Sequence, residues 1–247
     1  MRLLLAFFFL LPLHLRADTF ANGTWATATM QAPQYLPDRW YFQVVTETNN
    51  APFQIGFVGT GTRAVIWGDG EGDSTSGTLT NTHTYATAGT YTFSVREISG
   101  ATTRMYFYQL TGNLRLKKIL TEPNGMGNIS SLDSAFRNCT GLTGSIPSLT
   151  GLTKLTTIDT AFYNCTGLTG SIPSLTGLAN LTTIGNAFYN CTGLTGSIPS
   201  LTGLTNLTTL YGAFYNCTGL TGSIPSLTGL TNLTTISDAF RDCTGLT

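Results

Sequence analysis

Three acidic residues at alternate positions are the first place in this chain where binding chemistry could arise. The segment GDGEGDS carries Asp69, Glu71 and Asp73, and closely spaced carboxylates are typical ligands of Ca²⁺. The segment departs from the usual calcium-loop pattern, because Ser74 replaces the central glycine and Thr80 replaces the bidentate glutamate. We therefore favour a solvated turn over a metal site at these residues.

Catalysis by a histidine would have to use His83, because the other histidine, His14, lies in the apolar N-terminal segment. Nucleophilic triads need such a base, and a hydrolase needs acidic pairs or histidines that the chain lacks. Gly-rich phosphate-binding motifs are also missing from the sequence. The sequence thus predicts a protein that is not an enzyme and has no cofactor, with His83 in a structural hydrogen bond.

The cysteines follow one another at a constant interval of 26 residues. They are Cys139, Cys165, Cys191, Cys217 and Cys243. This spacing fits neither a zinc motif nor a small disulfide framework. Disulfides between neighbours are conceivable in an oxidising compartment, but an odd, evenly spaced column has no natural pairing, so we favour buried free thiols.

The cysteine interval belongs to a sequence repeat that runs from Ala135 to the end of the chain, which stops inside a fifth copy, AFRDCTGLT. A fixed period of this size predicts a solenoid whose turns stack their apolar residues into columns. We expect the Ala-Phe and Cys positions to face inward on one short helical turn. The phenylalanines of the predicted spine are Phe136, Phe162, Phe188, Phe214 and Phe240. Because copy five is incomplete, we expect further repeats downstream.

A second column of the repeat carries aromatic and basic side chains. Its members are Tyr163, Tyr189 and Tyr215, flanked by Arg137 and Arg241. Tyrosine and arginine are common in binding hot spots, so this column is the candidate ligand-binding surface. The alternative, that these tyrosines only cover the convex side, stays equally open.

The N-terminus has the pattern of a signal peptide over residues 1–17. Arg2 supplies the positive charge, Leu3 to Leu13 the apolar segment and Ala17 a small residue before cleavage. A retained anchor is the alternative, although the apolar run is short for a membrane span. We expect an exported protein, secreted or at the cell surface, without a membrane span after cleavage. Its net charge of zero gives no long-range attraction to nucleic acid.

The mature chain divides by composition into a linker or edge segment, a β-rich region, a connector and the repeats. These are residues 18–38, 39–110, 111–127 and 128–247. The β-rich region contains the runs WYFQVV, FQIGFV, RAVIW, YTFSVREI and RMYFYQL, separated by polar, Gly-containing segments. This pattern predicts a small antiparallel β-sandwich.

One stretch of the β-rich region, AVIWGDGEGDS followed by NTHTYATAGTYTFSV, resembles the PKD (polycystic kidney disease) domain, an immunoglobulin-like module of extracellular proteins. The matching residues are Trp67, Gly68, Asp69, Gly70, His83, Tyr85, Gly89, Tyr91, Phe93 and Val95. We expect Trp67 to fill the core and Asp69 to cap the glycine turn. Tyr85 or Tyr91 should hydrogen-bond to the backbone at a strand corner.

The repeats, with AF-x-x-C-x-x-L followed by I-P, resemble the BspA-type leucine-rich repeat of surface and secreted proteins. The phrase LTGSIP also resembles plant-type repeats, but the Ala-Phe and Cys positions decide for the first family. The period is longer than is usual there. The resemblance implies a role in adhesion.

These features together predict a mainly β fold, with a small immunoglobulin-like β-sandwich followed by a leucine-rich-repeat solenoid of short strands and short helical turns. The predicted function is recognition or adhesion outside the cell, with a protein or polysaccharide partner. A structural stalk or spacer is the alternative. Ice or mineral binding by the Thr rows ranks lower, because adjacent threonines of a strand point to opposite faces.

Overall fold

The computed structural model describes residues 35–107 and 114–247, so the predicted signal peptide and most of the predicted linker lie outside the described residues. Within them the prediction of a mainly β chain is confirmed, and no helix occurs there. The strands are β1 Trp40–Thr46, β2 Ala51–Gly59, β3 Thr62–Ile66, β4 Gly72–Ser76, β5 Leu79–Tyr85, β6 Gly89–Ser99, β7 Thr102–Phe107 and β8 Leu114–Ile119. No described residues form a helix long and apolar enough to cross a membrane.

The strands form two antiparallel sheets, one in the order β4-β3-β6-β1-β8 and the other in the order β5-β2-β7. Aromatic side chains from both sheets meet between them. Phe42 and Phe93 of the larger sheet lie opposite each other, with ring centroids 5.0 Å apart. Phe53 and Phe107 of the smaller sheet pack on them, at 5.0 Å from Phe93 and 5.2 Å from Phe42. We call this part, residues 35–107 and 114–127, the two-sheet unit.

Five of these strands match runs predicted from the sequence, whereas β4, β5 and β8 were not predicted. Strand β4 is a largely exposed edge strand of small and polar residues, which carries no apolar signal. Strand β8 pairs with β1 and lies inside residues 111–127, which the composition presents as a connector. Strand β5 does carry a period-two signal, because Asn81, His83 and Tyr85 alternate with exposed threonines.

Residues 128–247, which we call the repeat stack, form turns that lie on one another at the 26-residue interval. One ladder of parallel bridges joins Ser131, Thr157, Thr183, Thr209 and Thr235 in succession. A second ladder joins a glycine of one turn to a leucine of the next, as in Gly170 with Leu194. Between the ladders the leucines, isoleucines, alanines, phenylalanines and cysteines of most turns are buried. Stacking therefore buries apolar residues that no single turn could bury alone.

The helical turn that the sequence predicts at the Ala-Phe segment is absent. The backbone there makes single hydrogen-bonded turns, such as Ala187 N to Ile184 O and Cys191 N to Phe188 O. Each is interrupted by a left-handed residue, with φ of 50° at Asn186 and 56° at Asn190. A right-handed helix cannot continue through such residues. Alternate amides instead donate to the following turn, as Phe188 N does to Ala213 O at 2.9 Å.

The two-sheet unit continues directly into the repeat stack. Strand β7 extends the first ladder, because Arg104 bridges Ser131 and Phe107 N donates to Ala135 O. Strand β8 meets the other side of the first turn, where Lys117 O accepts from Thr143 N at 2.8 Å. The buried residues of both parts form one hydrophobic core. The first turn of the stack thus rests on paired strands and is not left uncovered.

Candidate functional site

The tyrosine and arginine column predicted from the sequence forms a ring ladder on the surface of the repeat stack. Tyr163 and Tyr189 stack with centroids 4.7 Å apart, and Tyr189 and Tyr215 stack at 4.4 Å. Arg137 lies 5.4 Å above the Tyr163 ring, and Arg241 lies 5.5 Å from the Tyr215 ring. The structure therefore brings all five predicted residues together, with a guanidinium on each end of the stacked rings.

The backbone of each turn places these tyrosines outward. Phe188 points into the core, where it stacks on Phe162 and Phe214 at 5.7 Å, and the next residue, Tyr189, lies on the opposite side of the chain. The left-handed residue that follows, Asn190, donates from Nδ2 to Asn164 Oδ1 at 2.6 Å. The asparagines form an amide ladder beside the ring ladder, which fixes the spacing of the tyrosines.

Charged groups surround the last rung of the ring ladder. Arg241 Nη1 lies 3.3 Å from Asp238 Oδ1, and this hydrogen bond raises the pKa of the Arg241 guanidinium. A hydrogen bond to the Asp242 carboxylate raises the pKa of the Tyr215 phenol, which is therefore neutral at physiological pH. Two carboxylates thus share one guanidinium, Arg241, which lies 3.3 Å from Asp238 and 3.9 Å from Asp242. The surface carries hydroxyl, amide and carboxylate groups side by side.

A groove of about 220 Å³ opens beside these charged groups. It is lined by Asn186, Tyr189, Tyr211, Gly212, Tyr215, Asp238 and Arg241. Tyr211 is 47% exposed, whereas the ladder tyrosines are only partly exposed. The groove is thus a concave polar site with one accessible aromatic ring, next to the edges of stacked rings.

Comparison of the four full copies with one another singles out the same surface. The copies cover residues 135–160, 161–186, 187–212 and 213–238, and most of their columns are identical. Only in the last two columns does every copy carry a different residue. From the first copy to the fourth, these two columns read Asp-Thr, Gly-Asn, Tyr-Gly and Ser-Asp. These two columns supply Asn186, Tyr211, Gly212 and Asp238 of the groove. Sequence reasoning about hot-spot residue types missed all four, although this internal comparison could have found them.

Gly212 lets the Asn186 side chain pack closely on the backbone beside the groove. Its φ is +56°, and a Cβ atom there would lie 2.4 Å from Asn186 Oδ1. Two turns earlier the same column carries a threonine, Thr160, whose hydroxyl hydrogen-bonds to the Ser134 hydroxyl at 2.8 Å. At Gly212 the Asn186 amide instead occupies the space that a side chain would fill.

The acidic segment proposed as a weak metal site is engaged otherwise. Asp69 Oδ2 lies 2.6 Å from His83 Nε2, and Asp73 Oδ2 accepts from Trp67 Nε1 at 2.8 Å. Glu71 is exposed, with its carboxylate 3.8 Å from His83 Nδ1. The described residues contain no group of three or more His, Cys, Asp or Glu side chains that could hold a metal ion. The three carboxylates are thus not assembled as a ligand set, since two of them serve internal hydrogen bonds.

The aromatic residues of the same region form a compact stack. The His83 ring lies 4.8 Å from Trp67 at an interplanar angle of 7°, and Trp67 is fully buried. Tyr85 Oη donates to Trp67 O at 3.0 Å, and Tyr91 Oη donates to Thr87 O at 2.8 Å. Burial raises the pKa of Tyr85. Each of these side chains holds backbone or a neighbouring ring, so their roles are structural.

The cysteine column lies inside the repeat stack as free thiols. Each thiol after the first donates to a phenylalanine carbonyl of the preceding turn, as Cys191 Sγ does to Phe162 O at 3.0 Å. Burial raises the pKa of Cys139 and of Cys191 to about 12. Such thiols are protonated and unreactive near neutral pH. The column therefore contributes to packing and not to redox chemistry.

Comparison of the chain with protein-family models, with curated proteins and with solved structures gave no match.

Proposed function

We propose that the two-sheet unit is an immunoglobulin-like β-sandwich of the PKD type and that the repeat stack is a leucine-rich-repeat solenoid similar to the BspA type. Two facing antiparallel sheets with Trp67 at their centre support the first assignment. Parallel bridges at the repeat interval, with leucine and phenylalanine columns inside, support the second.

We further propose that the protein is an exported recognition or adhesion protein, not an enzyme, and that it binds its partner on the face that carries the ring ladder. One observation carries this proposal: the columns that differ in every copy surround the ring ladder, while the remaining columns maintain the stack. The columns that vary most thus lie beside an exposed aromatic face, and aromatic residues with Arg are typical of surfaces that contact a partner. The partner is a protein or a polysaccharide.

A spacer role is the second candidate, and the direct continuation of β7 and β8 into the repeat stack supports it, because a rigid junction suits a stalk. Ice or mineral binding gains no such support. The outermost threonines use their hydroxyls internally, since Thr182 Oγ1 donates to Thr156 O and Thr208 Oγ1 to Thr182 O.

Binding of the purified full chain to immobilised matrix proteins and polysaccharides tests the recognition role. We expect saturable binding that falls at least about tenfold when Tyr163, Tyr189 and Tyr215 are all changed to Ala, a loss of about 1.4 kcal/mol or more. Thr182→Ala, on a different exposed face, is the matched control and should bind normally. If the chain binds to none of the surfaces, or if the triple variant binds as tightly as the parent chain, the spacer role is favoured.

A further inference from the structure

We infer that the groove beside Tyr211 is a single binding site for a neutral saccharide. This inference rests on the recognition role proposed above and adds its ligand class and its position. The groove is lined by tyrosine rings together with amide, carboxylate and guanidinium groups from three successive turns. Concave sites with an apolar platform and a few convergent polar groups are the usual form of small-ligand sites.

Tyr211 supplies the platform. The rings of Tyr189 and Tyr215 cover each other, 4.4 Å apart and 3° from parallel, and Arg241 covers the far face of Tyr215. These rings offer mainly their edges and hydroxyls to a ligand. Tyr211, at 47% exposure, is the most exposed ring beside the groove. A sugar ring has an apolar face of C–H groups that fits such a surface, and a rim of hydroxyls that fits the polar groups around it.

The polar groups of the groove match hydroxyls better than ions. Asp238 and Arg241 are paired with each other at 3.3 Å, and Asp242 holds the Tyr215 hydroxyl. An anionic ligand would meet an excess of carboxylate, and a cationic ligand would compete with Arg241 for Asp238 and Asp242. A hydroxyl can both donate to Asp238 and accept from Arg241 without separating them. The Asn186 amide adds another donor and acceptor.

The site occurs once along the described stack because its two defining residues occur once. Tyr211 and Gly212 stand where the preceding turn has Gly185 and Asn186, and where the following turn has Ser237 and Asp238. The ring ladder, by contrast, runs through three turns. A ligand held by the ladder alone would bind at several equivalent positions, whereas a ligand held in the groove binds at one site per chain.

The test replaces two groove residues by the residues that another turn of the stack carries at the same positions. The double variant Tyr211→Gly with Gly212→Asn gives copy three the same last two residues as copy two, so the fold should persist. Thr182→Ala, on a different exposed face and outside both the ring ladder and the groove, is the control. The full chain and both variants are applied to an array of neutral, sialylated and sulfated glycans, and the bound glycans are then titrated in solution.

We expect neutral glycans to bind with a stoichiometry of one per chain. The double variant should weaken this binding at least about tenfold, and Thr182→Ala should change it less than about twofold. Binding of anionic glycans alone, several sites per chain, or equal losses in both variants would overturn the inference. If matrix proteins bind and no glycan does, the saccharide site is wrong while the recognition role stands. If nothing binds in either assay, both fail.

Discussion

Each thiol of the cysteine column after Cys139 donates to a carbonyl of the turn before it, and the burial of these thiols makes the column sensitive to alkaline pH. Cys217 Sγ donates to Phe188 O at 2.9 Å, as a protonated thiol must. The pKa of Cys191 rises from an ordinary 9.0 to about 12 because burial disfavours the thiolate. The unfolded chain, whose thiols ionise normally, therefore releases protons at a lower pH than the folded chain.

The buried thiols make the free energy of unfolding depend on pH. Below pH 9.0 both states hold the proton and the thiols add no pH dependence, whereas between pH 9.0 and about 12 only the unfolded state ionises. The free energy of unfolding should therefore fall with rising pH in this window. In Cys191→Ala the fall between pH 8 and pH 10, measured by urea unfolding, should be smaller by about 1.4 kcal/mol than in the parent chain.

Ionisation of the tyrosines changes the free energy of unfolding equally in the parent chain and in Cys191→Ala, so it cancels in this comparison. Identical pH dependence in the two chains would show that Cys191 ionises alike in the folded and unfolded states.

At the scale of the element, the Ala-Phe turn depends on asparagines in the left-handed region. Asn164, Asn190 and Asn216 have φ between 53° and 59°, a conformation that costs most other side chains about 1 kcal/mol or more. Their amides also bond to one another, at 2.6 Å and 2.7 Å on either side of Asn190. One residue type thus serves both the bend of each turn and the contact between turns.

Substitution of Asn190 separates these two contributions. Asn190→Gly keeps the backbone conformation and loses the amide ladder, so we expect a loss of about 1–2 kcal/mol in unfolding free energy. Asn190→Ala loses the ladder and adds backbone strain, for a total of about 2–3 kcal/mol. The measurement is denaturant unfolding, with exposed Asn180→Ala as the control for one lost hydrogen bond. Equal losses in the Gly and Ala variants would mean that the left-handed backbone carries no strain.

The same turn shows where prediction from sequence succeeded and where it stopped. The period located the inward columns at Phe188 and Cys191, because a spacing fixed by stacking is written directly in the sequence. It could not show that the turn is non-helical, since Ala, Phe and Tyr are compatible with a helix and the decisive feature is the φ of Asn190. The ladder tyrosines were found by residue type. The groove was not, because it is lined by residues of the two columns that differ in every copy, which residue type alone does not single out.

At the scale of the whole molecule, the two-sheet unit and the repeat stack share one core. Phe136 of the first turn lies 5.4 Å from Phe107 and 6.1 Å from Trp40 of the two-sheet unit. The ion pair of Arg104 with Asp133, at 2.9 Å, and the hydrogen bond from Asn128 Nδ2 to Glu97 Oε2, at 3.0 Å, flank this contact. The junction therefore resembles the interior of one domain more than a contact between two.

We expect the two parts to unfold together. Fluorescence of Trp40 and Trp67 reports on the two-sheet unit, and labelling of the Cys191 thiol reports on the repeat stack. In urea both signals should change at the same midpoint, and Phe136→Ala should lower both midpoints together by removing about 3–5 kcal/mol. Phe214→Ala, deep in the stack, is the matched core substitution away from the junction. Separate midpoints in the parent chain would show that the two parts fold independently.

The near-identity of successive turns also has a consequence for the gene. Every turn bonds to its neighbours through the same atoms, as Thr169 N to Gly144 O recurs in Thr195 N to Gly170 O and in Thr221 N to Gly196 O. Unequal recombination between copies that deletes or inserts one 78-nucleotide unit in frame, three nucleotides for each of the 26 residues, rejoins surfaces that already fit. Alleles of different repeat number would thus keep the same fold, while the position of Tyr211 along the stack would shift by one turn at a time.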